Sequence, residues 1–194
     1  QHRGKLLRLA AAQHRGKLLR LAGTTSGQTL AVGGGTAKWN GGSTADPEQN
    51  LLDAMDLIFT NARVSGDEGV SLVLPTSVRG TMLNTQLFGN VILSLQEHMA
   101  DIANITVHYT RDFGSGNALD DDGLLLIPGA TTAEFFQYNG PGFMETELTR
   151  IPGLGYDWLL TSYFGMVIHE HQDAGVAEGA GTTNRIVKLT NLIA

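Results

Sequence analysis

Apolar side chains first fall into a regular order shortly after residue 46. Leu51, Met55, Ile58 and Ala62 follow one another at i, i+4, i+7 and i+11, and Leu52 and Phe59 widen the stripe. That spacing is the 3.6-residue period of an amphipathic helix. Asp46 is placed to cap its start, Pro47 suits the first helical position, Glu48 favours the positive end of the dipole, and Gln49 occupies the capping-box position. The predicted helix is about 16 residues, or about 24 Å, long.

Beyond it the pattern alternates between helical and extended. SGDEG at 65–69 reads as a turn and VSLVL at 70–74 as a short buried strand. Pro75 and Ser77 punctuate a second helical start. From Val91 the spacing of Ile92, Leu95, Met99 and Ile102 predicts a further helix ending near Asn104. ITVHYT at 105–110 puts Ile105, Val107 and Tyr109 on one face of a strand. A loop at 112–123, a strand LLLIP at 124–128 and another, METELTRIP, at 144–152 follow. The longest strand signal covers 157–171, with Trp158, Leu160, Phe164, Met166 and Ile168 on one face and only Ser162 polar among them. Its other face mixes Leu159, Thr161, Tyr163, Val167, His169 and His171. AGVAEGAG at 174–181 turns the chain into a last strand, TTNRIVKLTNL. A helix first, then helices mixed with antiparallel-looking strands, predicts an α+β fold rather than a doubly wound sheet.

Ahead of residue 46 no such order exists. Residues 23–45 carry one charge, Lys38, among many Gly, Thr and Ser, which reads as a linker or extended arm. Gly33, Gly34 and Gly35 lack the spacing of a phosphate-binding loop. QHRGKLLRLA stands at 1–10 and again at 13–22. A 12-residue shift turns a helix by about 120°, so the leucines of the two copies do not share a face, and two copies are too few for a solenoid. We read residues 1–22 as a duplicated segment, by artefact, by tandem duplication or as a designed arm, and place no chemistry there. The division expected is an N-terminal arm or linker at 1–45 and a core at 46–194.

Charge sharpens this division. Of 13 basic and 19 acidic residues in the 194, six basic ones and no acid fall in residues 1–22, so a basic arm precedes an acidic body. Such an arm suits nucleic acid or the acidic surface of a neighbouring subunit. Only 16% of residues are charged, 42% are hydrophobic, and 25 are glycine, about 13% where about 7% is usual. The absence of Cys excludes disulfide scaffolds, thiolate nucleophiles and Cys-based metal sites. No apolar run reaches the length of a membrane span and no signal-peptide pattern opens the chain, so we expect a soluble, cytoplasmically made protein without membrane contact.

The best catalytic-looking cluster is His169, Glu170 and His171. On one continuous strand the two imidazoles project to the same face about 7 Å apart, and Glu170 points away. A catalytic zinc takes three protein ligands, and no third is nameable. Asp120, Asp121 and Asp122 before Gly123 lack the calcium-loop spacing. The nucleophile-elbow, SxxK and HExxH patterns are absent, and Asn104-Ile105-Thr106 is a formal glycosylation sequon without other signs of secretion. We therefore expect no catalytic, metal or cofactor site.

One longer constellation remains: Trp39, a turn, Asp46-Pro47, the helix with Leu51, Ala54, Met55 and Ile58, a glycine turn, a strand ending Leu74-Pro75, and a helix from Ser77. A helix, the strand at 105–110, a strand ending at Pro128, the aromatic-rich segment 134–138 and a long strand near the C-terminus continue it. Together these resemble the tailed-bacteriophage major capsid protein of the Hong Kong 97 type over roughly residues 38–194. That resemblance implies a peripheral domain with a spine helix to which Pro47–Arg63 belongs, an axial domain from the middle of the chain, an N-terminal arm, and a returning strand at Thr183–Leu192. It also implies a shell subunit in hexamers and pentamers around double-stranded DNA held by non-specific contact. The partners would be scaffolding, decoration and portal proteins, and the place of assembly the host bacterial cytoplasm. The family carries a longer stretch ahead of Trp39 than the 38 residues here. Two other expectations stand beside it: an encapsulin-like nanocompartment shell, and a metal-dependent hydrolase using His169 and His171.

Overall fold

A computed structural model describes residues 28–33, 35–40, 44–61, 68–111, 122–129, 132–137, 144–145, 149–151, 155–157, 160–161, 164–172 and 182–193. The repeat at 1–22 lies outside them, as do Ala62, Asp120 and Asp121.

The apolar runs read as buried strands form the centre of a five-stranded mixed sheet. Its strands are β1 (Gln28–Ala31), β2 (Val70–Pro75), β5 (Ile105–Thr110), β6 (Gly123–Leu126) and β15 (Ile186–Thr190), in the order β1-β15-β6-β2-β5. β6 runs antiparallel to both neighbours, and β1 with β15 and β2 with β5 are parallel pairs. The register sets Leu72 opposite Leu125 and Val107, and Val73 opposite Leu124 and His108. Leu72, Leu125, Val187 and Ile105 therefore share the face that carries the main core, whereas Leu124 and Ile186 form a smaller cluster behind it with Val73, Leu126 and Ile168. Burial on both faces is why VSLVL and LLLIP read as continuous rather than alternating runs. At Gly123 a Cβ would stand 3.0 Å from side-chain carbons of Leu74 and Leu192 and 3.3 Å from the Val73 carbonyl oxygen, so these elements approach each other closely here.

The first helix, α1 (Pro47–Asn61), lies against the sheet with Leu51, Ala54 and Ile58 fully buried. Asp46 caps it: its carboxylate accepts from the Gln49 backbone N–H at 3.1 Å. Gln49 does not close the expected capping box, because its amide donates instead to Asp53 at 2.7 Å. Residues 23–45 are not merely a linker. Gln28–Ala31 add an edge strand to the sheet, a 3-10 turn spans Gly35–Ala37, and Val32 and Trp39 are core residues.

Between the parallel strands β2 and β5 the chain makes one long crossover. It contains a 3-10 turn (Thr76–Val78), α2 (Arg79–Leu83), β3 (Thr85–Phe88), β4 (Val91–Ser94) and α3 (Leu95–Ala103). The helix expected from Val91 thus starts four residues later. Gly89, at φ +60°, and Asn90 fold β3 and β4 into a hairpin. Ser94 then opens α3: its Oγ accepts from the Glu97 N–H at 3.2 Å, and the Glu97 carboxylate accepts from the Ser94 backbone N–H at 2.9 Å and hydroxyl at 2.6 Å. At the far end Asn104 takes the left-handed conformation, φ 49°, where the helix was expected to stop.

Those Ser94 bonds hold the Glu97 carboxyl below its usual range. Because the folded-state value is depressed, the stabilisation is present above the ordinary glutamate range and disappears as pH falls through the lowered value. Ser94→Ala, which removes the helix cap, is expected to lower stability at neutral pH. The gap to the parent should narrow in acid, as read by urea unfolding at both pH values. A gap that stays constant with pH would disprove the coupling.

The remaining strands pair two by two: β7 (Ala133–Gln137) with β12 (Phe164–Ile168), β8 (Met144–Glu145) with β11 (Leu160–Thr161), β9 (Thr149–Ile151) with β10 (Gly155–Asp157), and β13 (Glu170–Gln172) with β14 (Thr182–Asn184). The single strand expected at 157–171 is thereby divided among four strands with four different partners. METELTRIP is likewise two strands. Period-two alternation continues across each change of partner, which is why sequence alone merges them.

Candidate assembly surface

The β3–β4 hairpin is built from residues that a soluble surface normally hides. Its cross-strand pairs are Thr85 with Ser94, Gln86 with Leu93, Leu87 with Ile92 and Phe88 with Val91, so Leu87 and Ile92 face one way and Phe88 and Leu93 the other. The Phe88 face is held to the body: its ring stacks on His98 of α3 with centroids 3.7 Å apart, and the imidazole Nε2 lies 3.1 Å from Glu48 of α1. Tyr109 of β5 donates its hydroxyl to Gln96 at 2.8 Å, fixing α3 to the sheet, and partial burial raises the pKa of that phenol.

The opposite face is bare. Leu87 is 67% exposed and Ile92 71%, and on the Phe88 side Val91, at the tip, is 55% exposed. From Gly80 to Gln96, seventeen residues carry no ionisable side chain. Beside the hairpin a groove of about 400 Å³ is lined by Trp39, Thr81, Asn84, Gln86 and Leu95, again without charge. Among the described residues the hairpin pairs with no third strand. The surface offers hydrophobic and backbone contact, and no ionisable side chain between Gly80 and Gln96.

Of the residues singled out for chemistry, His169 and Asp122 lie elsewhere. His169 sits between β12 and β13, where the chain changes strand partner. Its Nε2 is buried without a hydrogen bond and lies 3.7 Å from the Glu134 carboxylate. The His171 side chain is outside the described residues. Asp122 is engaged by Lys188 at 2.8 Å. Among the described residues no three His, Asp or Glu side chains come together as a metal site, and no helix is long and apolar enough to cross a membrane. Sequence reasoning missed the hairpin because Ile92 fits the helical spacing of Leu95 and Met99.

No protein-family model and no curated protein matches the chain. A solved structure does: the crystal structure of a virus-like particle from Pyrococcus furiosus, at TM-score 0.62 and 15% identity, over 93% of this chain and 64% of that one. The chain thus has the mixed helix-and-strand fold of a particle-forming protein and spans 64% of that protein's length.

Proposed function

We propose that the chain is a structural, non-enzymatic subunit that self-assembles into a closed protein shell. The observation that carries this is the likeness to a virus-like particle protein along 93% of the chain. The bare hairpin and the low charge support it, since subunits of a shell meet through largely neutral, apolar surfaces. Within that role we assign the chain to the Hong Kong 97-type capsid proteins of tailed phages. α1 is part of the helical scaffold, and the shell of hexamers and pentamers encloses double-stranded DNA. Residues 1–45 are the arm, of which Gln28–Ala31 pair with the subunit's own sheet, and the six basic residues of 1–22 face DNA or an acidic neighbour.

Electron microscopy and light scattering of the purified protein test this reading. Closed particles are expected, and a strictly monomeric solute at high concentration would overturn it. Nuclease-protected DNA inside the particles supports the phage assignment. A protein cargo in its place would make the shell an encapsulin-like compartment.

A further inference from the structure

We propose that the outer face of the β3–β4 hairpin, centred on the Leu87–Ile92 pair, is the surface by which one subunit grips the same hairpin of a second copy. This rests on the shell-forming reading and names a contact within it.

Three observations select a second copy as the occupant. The first is charge. Each chain carries a formal net charge of -6, so two copies repel wherever acidic surfaces meet, and the seventeen uncharged residues from Gly80 to Gln96 are a place where they approach without that cost. The second is complementarity. Among the described residues Leu83, Leu87, Val91 and Ile92 concentrate exposed apolar surface on the hairpin and its lead-in, and the other large exposed apolar side chains, Ile102 and Val167, lie on separate elements, α3 and β12. The surface that best matches one hairpin is therefore another. The third is area. The face offers two large exposed apolar side chains, Leu87 and Ile92, well short of the roughly 800 Å² per partner that a stable pair buries. A contact of that size does not hold an isolated dimer, but it contributes fully in a subunit that touches several neighbours at once, where linked contacts multiply.

The hairpin also carries no lysine, no proline and no inward charge that would keep its edges from pairing. Two-stranded hairpins are marginal in water on their own, and this one is held on one side through Phe88 and His98. Packing against a second hairpin would cover the other side.

The test uses the full chain and two variants. Leu87→Glu with Ile92→Glu places carboxylates on solvent-facing positions. Light scattering should then fall at least tenfold, towards the mass of a single chain, while far-UV circular dichroism stays that of the parent. The chain has no cysteine, so Leu87→Cys reads proximity directly. Mild oxidation should link copies into disulfide-bonded pairs on a non-reducing gel, and this readout does not depend on how the double variant folds. The inference is overturned if the parent assembles and the Glu variant assembles equally well, or if the parent assembles and Leu87→Cys gives no cross-link. In either case the shell-forming reading survives. A parent that never self-associates removes that reading and the contact together.

Discussion

Replacing Trp39 with alanine is expected to lower the unfolding free energy by about 3–5 kcal/mol, a large share of the roughly 5–15 kcal/mol that holds a typical domain. The indole is 2% exposed and joins parts of the chain that are far apart in sequence. Its Nε1–H donates to Asn50 of α1 at 3.0 Å, its backbone N–H to the Leu192 carbonyl at 2.9 Å, and its carbonyl accepts from the Thr81 hydroxyl of α2 at 2.6 Å. Alanine keeps the backbone bonds but leaves a cavity and an Asn50 carbonyl oxygen without its donor. Trp39→Phe separates the two contributions, because it refills most of the cavity and restores no donor, so its cost should lie between those of the parent and Trp39→Ala. Urea unfolding measures both. A loss under about 1 kcal/mol for Trp39→Ala would show that the site collapses and that Trp39 is not the junction described.

The same residue shows what sequence can reveal. Trp39 was noticed only through a family resemblance, because it stands in a glycine- and threonine-rich stretch with no period of its own. Its burial depends on Leu192, more than 150 positions away, and nothing local encodes that. β1 was missed for the same reason: QTLA is strand only because β15 lies beside it. By contrast α1 was legible nearly to the residue, since Asp46, Pro47 and the Leu51, Met55, Ile58 stripe are local signals that agree.

The hairpin was legible but outcompeted. Gly89-Asn90 is a hairpin turn signal and Ser94 with Glu97 is a capping box, yet Ile92 sits three residues before Leu95, and the helical period ran across the boundary. The error hid the surface that now carries the assembly proposal, because a residue assigned to a core face is not sought on the outside. The histidine pair was read from a strand taken as continuous, whereas the chain changes strand partner after Ile168.

The second large effect is expected at Leu72. It lies in β2, is fully buried on the helix-covered face of the sheet, and stands between Leu125 and Val107. Leu72→Ala should cost about 2–5 kcal/mol. Val73→Ala, one residue on and half-buried over the smaller cluster of Leu124 and Ile186, should cost about 1 kcal/mol. A difference of that sign verifies the register, because a one-residue slip would exchange the two faces and invert the order. The pair also separates folding from assembly. The hairpin is an excursion of the crossover between β2 and β5, and its outer face receives nothing from Leu72. A Leu72→Ala chain that remains folded should therefore still assemble, whereas Leu87→Glu with Ile92→Glu should remain folded and not assemble. If Leu72→Ala abolished assembly with its circular dichroism and unfolding cooperativity intact, the contact between copies would have to lie on the sheet instead of the hairpin.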